Sequence, residues 1–129
     1  MIIQQTPLII GSLLFLAISI AESAAATSTN VALGKPTAQS SHLISYLGFP
    51  HSSSEAVDGN TNGDVFGNGS VTHTYLQNNP WWYVDLTARY TINRINVYNR
   101  QDCCPDRLSG FKVIIWDGSI QVWSYTHSG

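Results

Sequence analysis

The chain has 129 residues, 43% of them hydrophobic and 11% aromatic, with a formal net charge of −2. That length holds one domain rather than two, and four Trp set it apart from the composition of a disordered tail. Only six Lys and Arg in all, with a pI near 6.0, leave no electrostatic footprint for nucleic acid.

The first segment reads as a leader. Pro7 to Ala21 is an apolar run of 15 residues, and Ala24-Ala25-Ala26 supplies the small residues of a cleavage site. The n-region carries no Lys or Arg. A run this short falls below the roughly 20 residues that span a bilayer. A secretory signal peptide over residues 1–26 is therefore favoured over an uncleaved anchor, and membrane insertion is not expected. The mature domain is then residues 27–129.

From there the pattern predicts an all-β chain. No stretch sustains apolar residues at helical spacing. Trp82, Val84 and Leu86 alternate with Tyr83 and Asp85; Ile92, Ile95 and Val97 form a second candidate strand, irregular near Arg94. Phe111, Val113 and Ile115 form a third. Asp117-Gly118 signals a hairpin, followed by Ile120, Val122 and Trp123. Between Gly48 and Thr74 the composition turns to Ser, Asn, Gly and Asp, which predicts loop. Several short strands between long loops suggest a sandwich or jelly roll.

The only two cysteines are adjacent, Cys103-Cys104. In an exported protein a cysteine pair usually forms a disulfide. A bridge between neighbours must distort the backbone, because Cα atoms across a trans peptide lie about 3.8 Å apart and ordinary disulfides prefer about 4.4–6.8 Å. Two free thiols in a loop are the other reading. Around them stand Arg100, Asp102, Asp106 and Arg107. Solvated surface pairs would contribute little. Two guanidinium forks oriented by Asp partners would instead offer a fixed array of donors to neighbouring hydroxyl oxygens. Asp102 and Asp106 as paired glycosidase acids fit less well, since a nearby Arg lowers a carboxyl pKa.

His73 is followed by 26 residues and then Arg100-Gln101-Asp102, four residues, and Arg107. This spacing, with the adjacent cysteines, resembles the sugar-binding motif of the F-type lectins, or fucolectins. Asn30–Thr37, Glu55–Asn60, Asn79–Leu86 and Leu108–Phe111 fit the same family; the first and third of these are shared with the wider discoidin-like group. The resemblance implies an eight-stranded, discoidin-like β jelly roll sandwich that binds L-fucose. His73, Arg100 and Arg107 would make the polar contacts, with Asp102 in support. A Cys103–Cys104 disulfide would lie against the ring carbons. Tyr46, Leu47 and Phe66 are candidates to meet the 6-deoxy carbon. His42, His51 and His127 are not singled out by any pattern.

Glu55 to Ser70 resembles the family's calcium loop. Asp58 would give a side-chain ligand, Glu55 and Asn60 backbone carbonyls, and Ser70 both carbonyl and hydroxyl oxygen, a donor set suited to a hard cation. A plain Asp-Gly-Asn turn is the structural alternative. The family's late Glu ligand and several late strands would lie beyond residue 129, so the sandwich is expected to be incomplete at its C-terminus. Asn68-Gly69-Ser70 is an N-glycosylation sequon.

These readings converge on a secreted, calcium-associated, non-catalytic lectin for fucosylated glycans in glycan recognition or innate defence. The alternatives are a discoidin-like adhesion module for protein or phospholipid, and a carbohydrate-binding appendage of a larger glycosidase. Agglutination would require at least two sites, by assembly into a homo-oligomer or by tandem domains.

Overall fold

The computed structural model describes residues 2–5, 28–44, 48, 51–67 and 69–128. Tyr46, Leu47 and Asn68 lie outside the described residues, as does most of the expected leader. In chain order the strands are β1 (Ile2–Gln5), β2 (Thr29–Asn30), β3 (Thr37–Gln39), β4 (Trp82–Val84), β5 (Arg94–Asn96), β6 (Lys112–Asp117) and β7 (Ile120–Thr126). They form three small antiparallel sheets, β2-β1-β5, β3-β4 and β6-β7. The described part of the leader segment, β1, thus lies between β2 and β5. Among the described residues no helix is long and apolar enough to cross a membrane.

The core is small and local. Asn30 opens a turn by accepting the Ala32 N–H on its side-chain oxygen at 3.1 Å, an Asx turn. That turn drives Val31 and Ala32 inward against Val57, and all three are buried. Trp82, Val84, Leu86, Ile92 and Ile95 pack around them. In β4 the predicted alternation holds: Trp82 and Val84 face the core while Tyr83 is exposed. The Trp82 indole N–H donates to the Ser53 carbonyl at 2.8 Å, which satisfies the polar end of a half-buried ring.

Two predicted strands are shorter than their apolar patterns. β4 ends at Val84: the Asp85 N–H still donates to Pro36 O at 2.9 Å, in register with the Thr37↔Val84 pair, but Pro36 has no N–H to return the bond and Thr87 takes a left-handed φ of 64°. β5 starts only at Arg94, although Ile92 already packs on the core. In the hairpin the turn residues are Gly118 and Ser119, because Asp117 pairs with Ile120. Gly118 sits at φ 60°, the positive value that a tight two-residue hairpin requires at its first turn position. The predicted 48–74 loop contains one regular piece, a 3-10 turn at Ser53–Val57 that buries Ser53 and Val57.

Candidate glycan site

Strand β3 ends in Gln39, a buried polar residue. Its Nε2 donates toward the Ser41, His51 and His73 carbonyls at 2.8, 2.9 and 3.2 Å, and its Oε1 accepts from the Thr72 hydroxyl. The Leu43 N–H also donates to His73 O at 2.9 Å. His73 is therefore held by its backbone, and its half-buried ring makes contacts of its own. Its Nδ1 lies 2.6 Å from Thr74 O, and its Nε2 lies 3.2 Å from Arg107 Nη1. A carbonyl only accepts and a guanidinium only donates. The contacts match the tautomer in which Nδ1–H donates to Thr74 O and the Nε2 lone pair faces Arg107.

Arg107 reaches His73 across 34 positions of sequence because of the loop that follows β5. The Asn99 side chain closes that loop: its Oδ1 accepts the Arg100 N–H at 2.8 Å and its Nδ2 donates to Pro105 O at 2.7 Å. Inside the loop Arg100 binds Asp102 in bidentate fashion, Nε to Oδ1 at 2.6 Å and Nη2 to Oδ2 at 2.8 Å. The hydrogen bonds from Arg100 lower the Asp102 pKa from 3.8 to about 2, against the opposing effect of desolvation; backbone N–H groups of Asp102 and Val65 add to the lowering. The same hydrogen bonding raises Arg100 above its ordinary value. Asp106 does not orient Arg107 as the sequence suggested; among the described residues no ion pair joins them, and the 3-10 turn Pro105–Leu108 carries Arg107 to His73 instead.

Cys103 and Cys104 are joined by a disulfide across a Cα separation of 3.8 Å. The distortion expected of such a bridge falls on Cys104, at φ 56° and ψ 48°. The left-handed region costs a residue with a Cβ roughly 1–2 kcal/mol. Both cysteines are half-buried, and the pair forms a rigid apolar step between Arg100 and Arg107.

The loop from Glu55 to Ser70 gathers oxygen donors. The Ser70 hydroxyl lies 2.5 Å from Asp58 Oδ2 and 3.2 Å from Glu55 O. Asp58 Oδ1 accepts the Asn60 N–H at 2.8 Å. Asn60, Asn62 and Asp64 continue the pattern, each side-chain oxygen taking the N–H two residues on. Among the described residues no group of three or more His, Cys, Asp or Glu is gathered for a metal. The donors here are one carboxylate, carbonyls and a hydroxyl, which is the chemistry of a hard divalent cation and not of a thiolate or imidazole site. Asp58, the Glu55 carbonyl and Ser70 meet at one point and fit such an ion, while Asn60 is tied to the same carboxylate through its N–H.

The fold thus brings His73 and Arg107 into contact, places the Arg100–Asp102 pair and the disulfide on the connecting loop, and sets the candidate cation loop beside it. Phe66 is 86% exposed, and the Arg100 guanidinium lies 5.8 Å from its ring centroid, within cation–π range. His51, not singled out by sequence, stands with its ring 6.1 Å from His73 and its Nδ1 3.1 Å from Val71 O. Gln39 and Asn99 were also missed. Gln39 acts through bonds to backbone as far as 34 residues away, and Asn99 through the closure of its own loop; no residue pattern announces either. A cavity of about 400 Å³, lined by Val97, Asn99, Leu108, Phe111 and His127 among others, does not include His73, Arg100 or Arg107.

The chain has relatives in sequence and in fold. The chain is 42% identical to a fucolectin of Anguilla anguilla over 89 residues, 69% of this chain and 56% of that protein. It is 48% identical to fucolectin-1 of Anguilla japonica over 60 residues, 46% of this chain and 33% of that one. The chain therefore spans about half, or less, of the length of the curated relatives it matches. Its structure superposes on the lectin domain of lectinolysin, solved in complex with Lewis b antigen, with a TM-score of 0.68 and 36% identity, covering 78% of this chain and 68% of that one. A fucose binding module of Streptococcus pneumoniae superposes with a TM-score of 0.61 and 38% identity, over 78% of this chain and 70% of that one. These matches fix the fold as all-β and discoidin-like. The model of the NedA-like, galactose-binding domain family matches residues 55–128, more than half of the chain, and with its fucolectin relatives it makes this protein a member of that family in its F-type lectin branch.

Proposed function

We propose that the domain is a secreted, non-catalytic lectin that binds L-fucose on fucosylated glycans and holds a structural calcium ion. The observation that carries this reading is the contact of Arg107 with His73 at the far end of the loop that holds the Arg100–Asp102 pair. A sugar hydroxyl is both donor and acceptor. The His73 Nε2 lone pair, which faces Arg107 here, would turn to the sugar as it enters, with the Arg107 N–H groups beside it. Asp102 engages Arg100 through Nε and Nη2, and among the described residues Nη1 is left to donate. Donors and an acceptor converging at fixed angles can separate the axial 4-hydroxyl of fucose from an equatorial one, because the wrong epimer leaves polar groups unpaired. The disulfide offers an apolar surface to the ring carbons, and Phe66 a wall for the 6-deoxy carbon.

The acid–base chemistry favours binding over hydrolysis. A glycosidase acid must keep its proton near neutral pH, and Asp102, held near 2, does not. Asp58, the carbonyls of Glu55 and Asn60, and the oxygens of Ser70 would hold the calcium ion, which would brace the loop leading to His73. Export rests on the leader read over residues 1–26 and agrees with a disulfide, which persists in an oxidising compartment. Agglutination or defence would need at least two sites, through a homo-oligomer or tandem domains.

A glycan array probed with the protein, with calcium and with a chelator, tests this reading. Signal confined to fucosylated glycans, weakened by the chelator, is the expected result. Binding to anionic phospholipid vesicles with no fucose signal would replace the lectin by the adhesion module. Changing both cysteines to Ser should leave the melting temperature nearly unchanged, since the bridge closes almost no chain, while weakening fucose binding. Unaltered binding by that variant would remove the disulfide from the site.

A further inference from the structure

Gly63 is buried inside a loop of exposed and half-exposed residues. Its backbone does not adopt the left-handed conformation that usually explains a glycine. The explanation is space: a Cβ at this position would lie 2.6 Å from Asn99 O, 3.0 Å from Gln101 N and 3.0 Å from Gln101 Cγ. Two of those three atoms belong to the backbone, which cannot swing aside. Gly63 is therefore the point where the 58–70 loop rests directly on the segment that opens the Arg100–Arg107 loop.

The contact is bonded as well as close. The Gln101 N–H donates to Gly63 O at 3.0 Å. Two residues on, the Val65 N–H bonds to the Asp102 carboxylate. The Phe66 ring lies against the Arg100 guanidinium, and the charge of Asp64 acts on the same guanidinium. The loop is a closed unit behind these contacts: Gly69 N–H donates to Asp64 O at 2.8 Å, Ser70 N–H to Asn62 O at 3.0 Å, and Asn62 Nδ2 to Gly67 O at 3.1 Å.

We propose that Gly63 is a positioning residue of the glycan site: by letting the loop backbone lie against Asn99 and Gln101, it allows residues 63–66 to hold the Arg100–Asp102 pair in its binding geometry. The role at the sugar rests on the function proposed above, whereas the hold on Asp102 does not. Any side chain at 63 would separate the two backbones. The Gln101 and Val65 hydrogen bonds would slip together, and Arg100 would turn with its partner. The same contact would link order in the 58–70 loop, however that order is achieved, to the direction in which Arg100 presents its free N–H groups.

The test compares the whole protein with Gly63→Ala and with Val113→Ala, a truncation of the one buried side chain of the β6–β7 hairpin. Two quantities are read: affinity for L-fucose by titration calorimetry, and the acid titration of the Asp102 carboxyl carbon by NMR. Gly63→Ala is expected to bind fucose at least 10-fold more weakly and to titrate Asp102 closer to the ordinary carboxylate range. Val113→Ala should lower the melting temperature and leave both quantities unchanged. Wild-type affinity and wild-type Asp102 titration in Gly63→Ala would overturn the proposal. If the wild-type protein does not bind fucose, the lectin reading fails, and the Asp102 titration alone decides the role of Gly63. If Gly63→Ala does not fold, hydrogen exchange on the wild-type chain decides: the Gln101, Gly69 and Ser70 amides should open together as one unit, and a Gln101 amide that opens independently of the other two would overturn the proposal.

Discussion

The β6–β7 hairpin and the loop cluster of residues 51–73 and 99–107 are built on opposite principles. The hairpin has a continuous ladder from Lys112↔Thr126 to Asp117↔Ile120, interrupted by one bulge between Ile115 and Trp116. Its regularity buries little: Val113 is its one buried side chain, and every residue of β7 is exposed, Trp123 and Tyr125 included. Among its described residues the loop cluster has two short 3-10 turns and no strand. Yet side chains tie its backbone in place, Gln39 of β3 holding His73 across the fold and Asn99 holding Pro105 across its own loop. A ladder satisfies backbone groups and leaves side chains to whatever covers them. Side-chain ties satisfy the backbone one group at a time, and they leave chosen residues projecting with fixed orientation. A recognition site needs the second kind of order.

The comparison breaks most visibly at Arg107. Arg107→Ala is expected to cost about 2–5 kcal/mol of glycan affinity once the ligand covers the charged network, with little change in melting temperature, because Arg107 is exposed. Calorimetry with L-fucose checks this, and equal affinity of the two proteins would remove Arg107 from the site.

Gln39→Ala tests whether side-chain ties support the cluster as the ladder supports the hairpin. It removes the partner inside the fold of the Ser41 and His51 carbonyls and the Thr72 hydroxyl, and leaves His73 O its bond from the Leu43 N–H. Unsatisfied buried polar groups cost about 1–3 kcal/mol each, so denaturant unfolding should report a loss of at least this size. A loss below about 0.5 kcal/mol would mean that water replaces Gln39 at no cost.

Acid sharpens the contrast further. The folded Asp102 pKa of about 2 lies below the ordinary 3.8, so the fold favours the charged carboxylate. Its contribution to stability is complete above the ordinary carboxylate range and is lost as the pH falls through about 2. The stability difference between wild type and Asp102→Asn should therefore be full at pH 5 and shrink steadily toward pH 2. Unfolding curves across that window would show it, and a difference independent of pH would refute the assignment.

The smallest effect is expected where an ion pair reinforces the hairpin. Arg89 Nε meets Asp117 Oδ1 at 2.9 Å, with the Arg89 side chain 88% exposed. Solvent screens such a pair, and Arg89→Ala should cost about 0–1 kcal/mol. A larger loss in thermal melts would mean that the hairpin depends on its anchorage to the 87–90 segment.

Much of the molecule was legible in its sequence. The alternation around Trp82 and Val84 identified a strand with one face on the core, because a period of two puts neighbouring side chains on opposite faces. The Asp117-Gly118 signal located the hairpin, since a positive φ at the turn calls for glycine. The spacing of His73, Arg100, Asp102 and Arg107 selected residues that the fold assembles on and around one loop, and Asp58 and Ser70 likewise meet. Those features are local, or follow from resemblance to a family's motif. Tertiary structure alone decided the rest. That Arg107 pairs with His73 and not with Asp106, that the buried Gln39 holds the His73 backbone, and that Gly63 is required by an approach to Asn99 and Gln101 all depend on contacts between segments far apart in the chain. Short-range propensity and periodicity carry no term for such contacts, because the groups involved meet only after the loops have closed.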